Sequence, residues 1–97
     1  MNAFKEKIFQ EFAANLSRTL GMTTDEYSEI FYRKGEDALG EFETALREEG
    51  PEVARLMMNW SIVNLSVIYH ESEINRKMTS DEIKEHAISL DLGLEHF

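Results

Sequence analysis

The chain has 97 residues, the size of one domain with a modest core, and its 42% hydrophobic and 30% charged residues place it outside the disordered regime. A net charge of −9, from 19 acidic against 10 basic residues, argues against nucleic acid or an anionic membrane as ligand, since both require a Lys/Arg footprint. The lack of Cys excludes disulfide frameworks and thiolate zinc sites and suits a reducing cytoplasm, while one Pro and five Gly are few for a turn-rich β-fold.

At the N-terminus, Lys5, Glu6 and Lys7 stand before a broken apolar pattern, unlike a signal peptide. Phe4, Ile8, Phe9, Phe12, Ala13, Leu16 and Leu20 fall on one arc of a helical wheel and Glu6, Lys7, Gln10, Glu11, Ser17 and Arg18 on the other, which predicts an amphipathic helix. Gly21 should stop it, because glycine takes the left-handed cap conformation without a Cβ penalty. Thr23, Thr24, Asp25 and Glu26 then read as a capping box that starts the next helix.

Tyr27, Ile30, Phe31, Ala38, Leu39, Phe42, Ala45 and Leu46 continue one stripe to Glu49. Gly35 interrupts it. Arg33 and Lys34 before it and Glu36 and Asp37 after it are the charges that favour a helix end and a helix start, which predicts a break or strong kink near residue 35. From Glu36 to Glu52 the charge is almost all negative, with Arg47 the single cation. Glu36, Asp37, Glu41, Glu43 and Glu48, with Tyr32 beside Arg33 and Lys34 as an aromatic anchor, form the expected docking face for a partner with a basic surface. The plainer alternative is a solvated face that keeps the protein soluble.

Gly50 and Pro51 close one helix and open another, because Pro at the first helical position gives up a donor that had no partner. Val53, Leu56, Met57, Met58, Trp60, Ile62, Val63, Leu65, Val67, Ile68 and Tyr69 follow almost without a charge and cover about two-thirds of the wheel. This predicts a long, largely buried helix over about 51–76. It should fold back on the preceding amphipathic helical hairpin. Alternation over residues 61–69 also admits a strand. A membrane span is not expected, since the run is shorter than the ~20 residues required and contains Asn59, Ser61, Asn64 and Ser66. Such a helix would be about 39 Å long against a diameter of roughly 32 Å for a compact chain of this size, so it should overhang or bend. Asn64 lies between the Met57 and Trp60 directions inside the apolar arc. Together these features predict a homodimer in which Asn64, Trp60 and Met57 set the register; the alternative is an Asn64 satisfied within the monomer core.

Thr79, Ser80, Asp81 and Glu82 repeat the capping box before Ile83, Ala87, Ile88 and Leu90, and the last helix should fray near 91–93. Leu92, Leu94 and Phe97 make an apolar tail that must dock on the body, on a partner, or not at all.

Chemistry-bearing patterns are sparse. His70 and Glu73, one turn apart on a narrow polar stripe with Arg55, Asn59 and Ser66, are weak metal candidates, because the strong helical patterns need two His around a Glu or paired Glu-x-x-His. Ser66 and His70 mimic a nucleophile and base but lack the strand-to-helix turn and oxyanion donors of acyl transfer. His86 is expected to be exposed, and His96 lies in the tail. The Glu spacing does not reproduce the paired carboxylate motifs of all-α pyrophosphohydrolases. No catalytic residue, metal or cofactor is assigned.

The reading is therefore an all-α helical bundle of four to five helices in one domain over 1–97. It describes a small acidic cytoplasmic protein that acts by protein–protein interaction, as inhibitor, immunity-type antidote, adaptor or chaperone. The alternatives are a metal-dependent or hydrolytic enzyme using His70, Glu71 and Glu73, and a structural homo-oligomer.

Overall fold

Glycines and capping residues divide the chain where their conformational chemistry requires. The computed structural model describes residues 3–32 and 38–94, which form five α-helices and no strand: α1 (Ala3–Leu20), α2 (Thr24–Tyr32), α3 (Ala38–Glu48), α4 (Pro51–Ile74) and α5 (Ser80–Ser89). α1 ends where Gly21 adopts φ +61° and its amide donates to the Ser17 carbonyl at 2.9 Å. Both capping boxes form. The Glu26 amide donates to Thr23 Oγ1 (3.2 Å) and the Thr23 amide to the Glu26 carboxylate (3.1 Å). Thr79 and Glu82 make the same pair of bonds at 3.2 and 3.0 Å. Gly50, at φ +100°, precedes Pro51 at the start of α4, and Asn75 ends that helix in the left-handed conformation. The expected break at Gly35, together with Glu36 and Asp37, lies outside the described residues.

α4 is the centre of the bundle. α1 and α3 pack on it most extensively, α5 more lightly, and α2 leans on α3. The core contains Ile8, Phe12 and Leu16 from α1, Tyr27 from α2, Phe42 from α3 and Met58, Ile62 and Val63 from α4, all almost free of solvent. The Phe12 ring meets Tyr27 and Phe42 edge-on at 5.2 and 5.3 Å. Such edge-to-face pairs add about 0.5–1.5 kcal/mol each to the stabilisation from burial. No described helix is long and apolar enough to cross a membrane.

The 24 residues of α4 span about 36 Å at ~1.5 Å per residue, and the molecule measures 43 × 32 × 22 Å. The molecule is therefore a slab rather than the sphere of roughly 32 Å on which the expected overhang rests.

The apolar tail docks on the body. The Arg18 guanidinium donates to the Leu90 and Asp91 carbonyls at 3.1 and 3.2 Å, and Asn59 Nδ2 donates to the Leu92 carbonyl at 3.1 Å. Leu92 and Leu94 are buried in the main core. Phe97 and His96 lie outside the described residues.

Candidate partner-binding trough

Two opposed stripes run along α4, and the tertiary structure uses them opposite to their polarity. The polar stripe faces neighbouring helices. Arg55 holds Glu11 of α1 through Nε at 3.0 Å and Nη2 at 3.3 Å. Asn59 accepts from Asn15 at 3.3 Å while donating to the tail, and Ser66 Oγ lies 2.7 Å from His86 Nε2 of α5. These polar groups are half-buried and satisfied across helix–helix seams, where an apolar residue would leave the Leu92 carbonyl without its donor.

On the other side Val53, Met57, Trp60, Asn64 and Ile68 share an arc about 80° wide at 100° per residue. Ile68 is 57% exposed, Val53 and Met57 more than a third, and Trp60 is half-buried. Asn64 is exposed in the midst of them. The wheel puts it inside the apolar arc, but Asn64 is exposed: α1 packs on the opposite, polar side of α4 through Arg55 and Asn59, and no described helix lies over this stripe.

From Met57 to Ile68 this stripe, with Ser61 and Leu65 beside it, forms one wall of a trough of about 520 Å³. Ile30 and Phe31 of α2 and Ala38, Glu41 and Phe42 of α3 form the other. Its lining is apolar except for Glu41, Asn64, Ser61 and the buried Tyr27. The Tyr27 hydroxyl bonds to Ser61, within the field of Glu41; burial pushes the phenol pKa up, the Ser61 bond opposes this, and Glu41 adds to it. Ser61 Oγ itself donates to the Met58 carbonyl at 2.6 Å. A more open depression past Gly40 and Thr44 shares Glu41 and Met57 with the trough, extending it along α3.

The expected acidic face is divided. Glu41 stands at the trough, and exposed Glu48 follows seven residues later on the same side of α3. Glu43 turns the other way and pairs with Lys5 of α1 at 3.0 Å. Tyr32 is the last residue of α2.

The histidines form a different arrangement from the one expected. His86 is half-buried rather than exposed, stacked on His70 with ring centroids 5.6 Å apart and planes 12° from parallel. Desolvation, and then the charge of His70, push the His86 pKa below the ordinary histidine value. His70 Nδ1 is 4.0 Å from the exposed Glu73 carboxylate. Face-to-face rings direct their nitrogen lone pairs along parallel planes rather than at one point, and no group of three or more potential metal ligands occurs among the described residues. Ser66 sits in the middle of α4, where backbone N–H groups are already bonded within the helix, so the Ser66–His86 pair has no adjacent oxyanion donors. Its partners are 20 residues apart on different helices, so no local spacing could have revealed it.

No family model, curated protein or solved structure matches the chain.

Proposed function

We propose that the protein works by binding another protein, and that a basic segment of that partner docks in the trough between α2, α3 and α4. The observation that carries this reading is the uncovered apolar stripe of α4 beside Glu41. Apolar side chains exposed singly are ordinary on a monomer, whereas a contiguous stripe lining a concave surface is characteristic of a binding site. The net charge of −9 favours a cationic partner and disfavours a second copy of the same acidic chain. Inhibitor, immunity-type, adaptor and chaperone roles all use this mode, and the lack of Cys suits work in the cytoplasm.

Trp60 is the sole tryptophan and lines the trough, so it reports occupancy directly. Its emission should shift to the blue when an amphipathic Leu/Lys peptide is added at low salt, less so near physiological ionic strength, and not with the Leu/Glu counterpart. An emission spectrum untouched by the Leu/Lys peptide would overturn the proposal. Asn64, polar and exposed at the middle of the stripe, favours a second reading in which two copies meet there. Sedimentation of the protein alone separates the two: a dimer at micromolar concentration assigns the stripe to self-association, and a monomer assigns it to a foreign partner.

A further inference from the structure

The shape and polarity of the trough restrict what conformation its occupant can adopt. The described residues contain no strand, so there is no sheet edge to which an extended segment could add. Successive residues of an extended segment would turn an N–H and a C=O toward one wall and then the other, and burying these unpaired is heavily penalised. The wall offers few polar side chains in return: Glu41, Asn64, and the Tyr27 and Ser61 hydroxyls, which are already bonded to each other, with Ser61 also engaged by Met58. A helix satisfies its own backbone and presents only side chains.

The dimensions agree. From Met57 to Ile68 the wall runs about 16 Å at ~1.5 Å per residue, three helical turns. A cavity of roughly 150 Å³ admits one benzene-sized group, so a trough of about 520 Å³ receives two or three large apolar side chains. Those are the anchors that one face of a three-turn helix supplies at i, i+3 or i+4, and i+7. Glu41 stands on the wall opposite α4, level with Met57, where the trough continues past Gly40 and Thr44.

We infer that the docking segment is an amphipathic α-helix of about three turns laid along α4, with two or three large apolar side chains in the trough and one Lys or Arg over Glu41. This rests on the protein-binding reading above and narrows it to a helix-in-groove mode. The helix is foreign to this chain: α1, α2, α3 and α5 turn apolar residues into the core, and the net charge of −9 disfavours docking by the open stripe of α4 from a second copy.

The test compares three peptides of equal length by Trp60 emission: an amphipathic Leu/Lys helix, the same peptide with Pro at two internal positions on its polar face, and a scrambled order of the first without a stripe. The first should bind at least ten-fold more tightly than the other two. Ile68→Asp, at an exposed position, should weaken it at least ten-fold without altering the melting temperature, and Glu41→Gln should reduce the preference for Lys over an uncharged Gln-substituted peptide several-fold. Equal binding of the helical and Pro-containing peptides overturns the helical inference while leaving a protein-binding trough in place. Tight binding that ignores Ile68→Asp overturns the placement, and failure of all three peptides removes the protein-binding reading itself.

Discussion

His86 shows how one residue couples packing to pH. Burial beside His70 favours its neutral form, so its native pKa lies below the unfolded value of 6.5. The unfolded chain then binds the proton more readily, and stability must rise with pH across that interval. The contribution is complete above about 6.5. It falls as pH drops, and stops falling below the native pKa. The urea midpoint should therefore be lower at pH 5.5 than at pH 7.5, and His86→Gln should flatten this dependence; a variant with the slope of the parent would place the titration elsewhere. Phe12 illustrates the opposite, non-titrating case. With two edge-on rings against it and 1% exposure, Phe12→Ala is expected to cost about 3–5 kcal/mol, a large part of the ~5–15 kcal/mol typical of a domain. Urea denaturation measures it directly.

Among the elements, α5 and the segment after it depend most on a few polar contacts. α5 starts from the Thr79–Glu82 box, reinforced from outside by Arg76, whose guanidinium bonds both Glu82 oxygens at 2.8 Å. That bond, and then the Thr79 amide, hold the Glu82 carboxyl down to about 2. Thr79→Ala removes the hydroxyl that caps the first turn and should lower stability by about 1 kcal/mol, read as a shift in the denaturation midpoint. Arg18→Met acts on the other end. Without its bonds to the Leu90 and Asp91 carbonyls, amides over 86–94 should exchange faster while those of Ile8 to Leu16 and Ile62 to Leu65 keep their protection, since those belong to the main core. Uniform acceleration across both sets would show instead that the tail and the bundle unfold as one unit.

At the scale of the whole molecule, charge is the dominant variable. A chain with 19 acidic and 10 basic residues repels itself when folded. Its Lys and Arg ion pairs among the described residues, Lys5–Glu43, Arg55–Glu11, Arg76–Glu82 and Lys77–Glu71, each have at least one partner more than a third exposed. Pairs of this kind contribute only about 0–1 kcal/mol each. Screening should thus relieve more repulsion than it removes attraction, so the melting temperature should increase as salt is raised from about 20 to 200 mM, across which the Debye length shrinks from some 20 Å to below 10 Å. A decrease would mean that the ion pairs outweigh the self-repulsion. The same screening weakens capture of a basic partner, so stability and affinity should move in opposite directions with salt.

Local chemistry sets most of the helix limits without any tertiary contact. Gly21, the Thr23–Glu26 box, Gly50 with Pro51, and the Thr79–Glu82 box each act within a few residues, so the helix limits at these four places were legible in the chain, as was the all-α class. Which way α4 faces was not. A wheel ranks its residues by polarity, but burial follows from where α1, α3 and α5 lie, and these are held by pairs 20 to 73 residues apart such as Ser66–His86, Arg55–Glu11 and Arg18–Asp91. Those contacts draw Asn59 and Ser66 into the seams and leave Met57, Asn64 and Ile68 exposed. The acidic residues of α3 were visible from composition, but only the packing of α1 shows that Glu43 is engaged by Lys5 while Glu41 stands at the trough. The amino-acid order thus determined the secondary structure and charge through short-range capping and periodicity. The tertiary structure alone decided which apolar face remained open, because that depends on long-range packing for which a single helix carries no record.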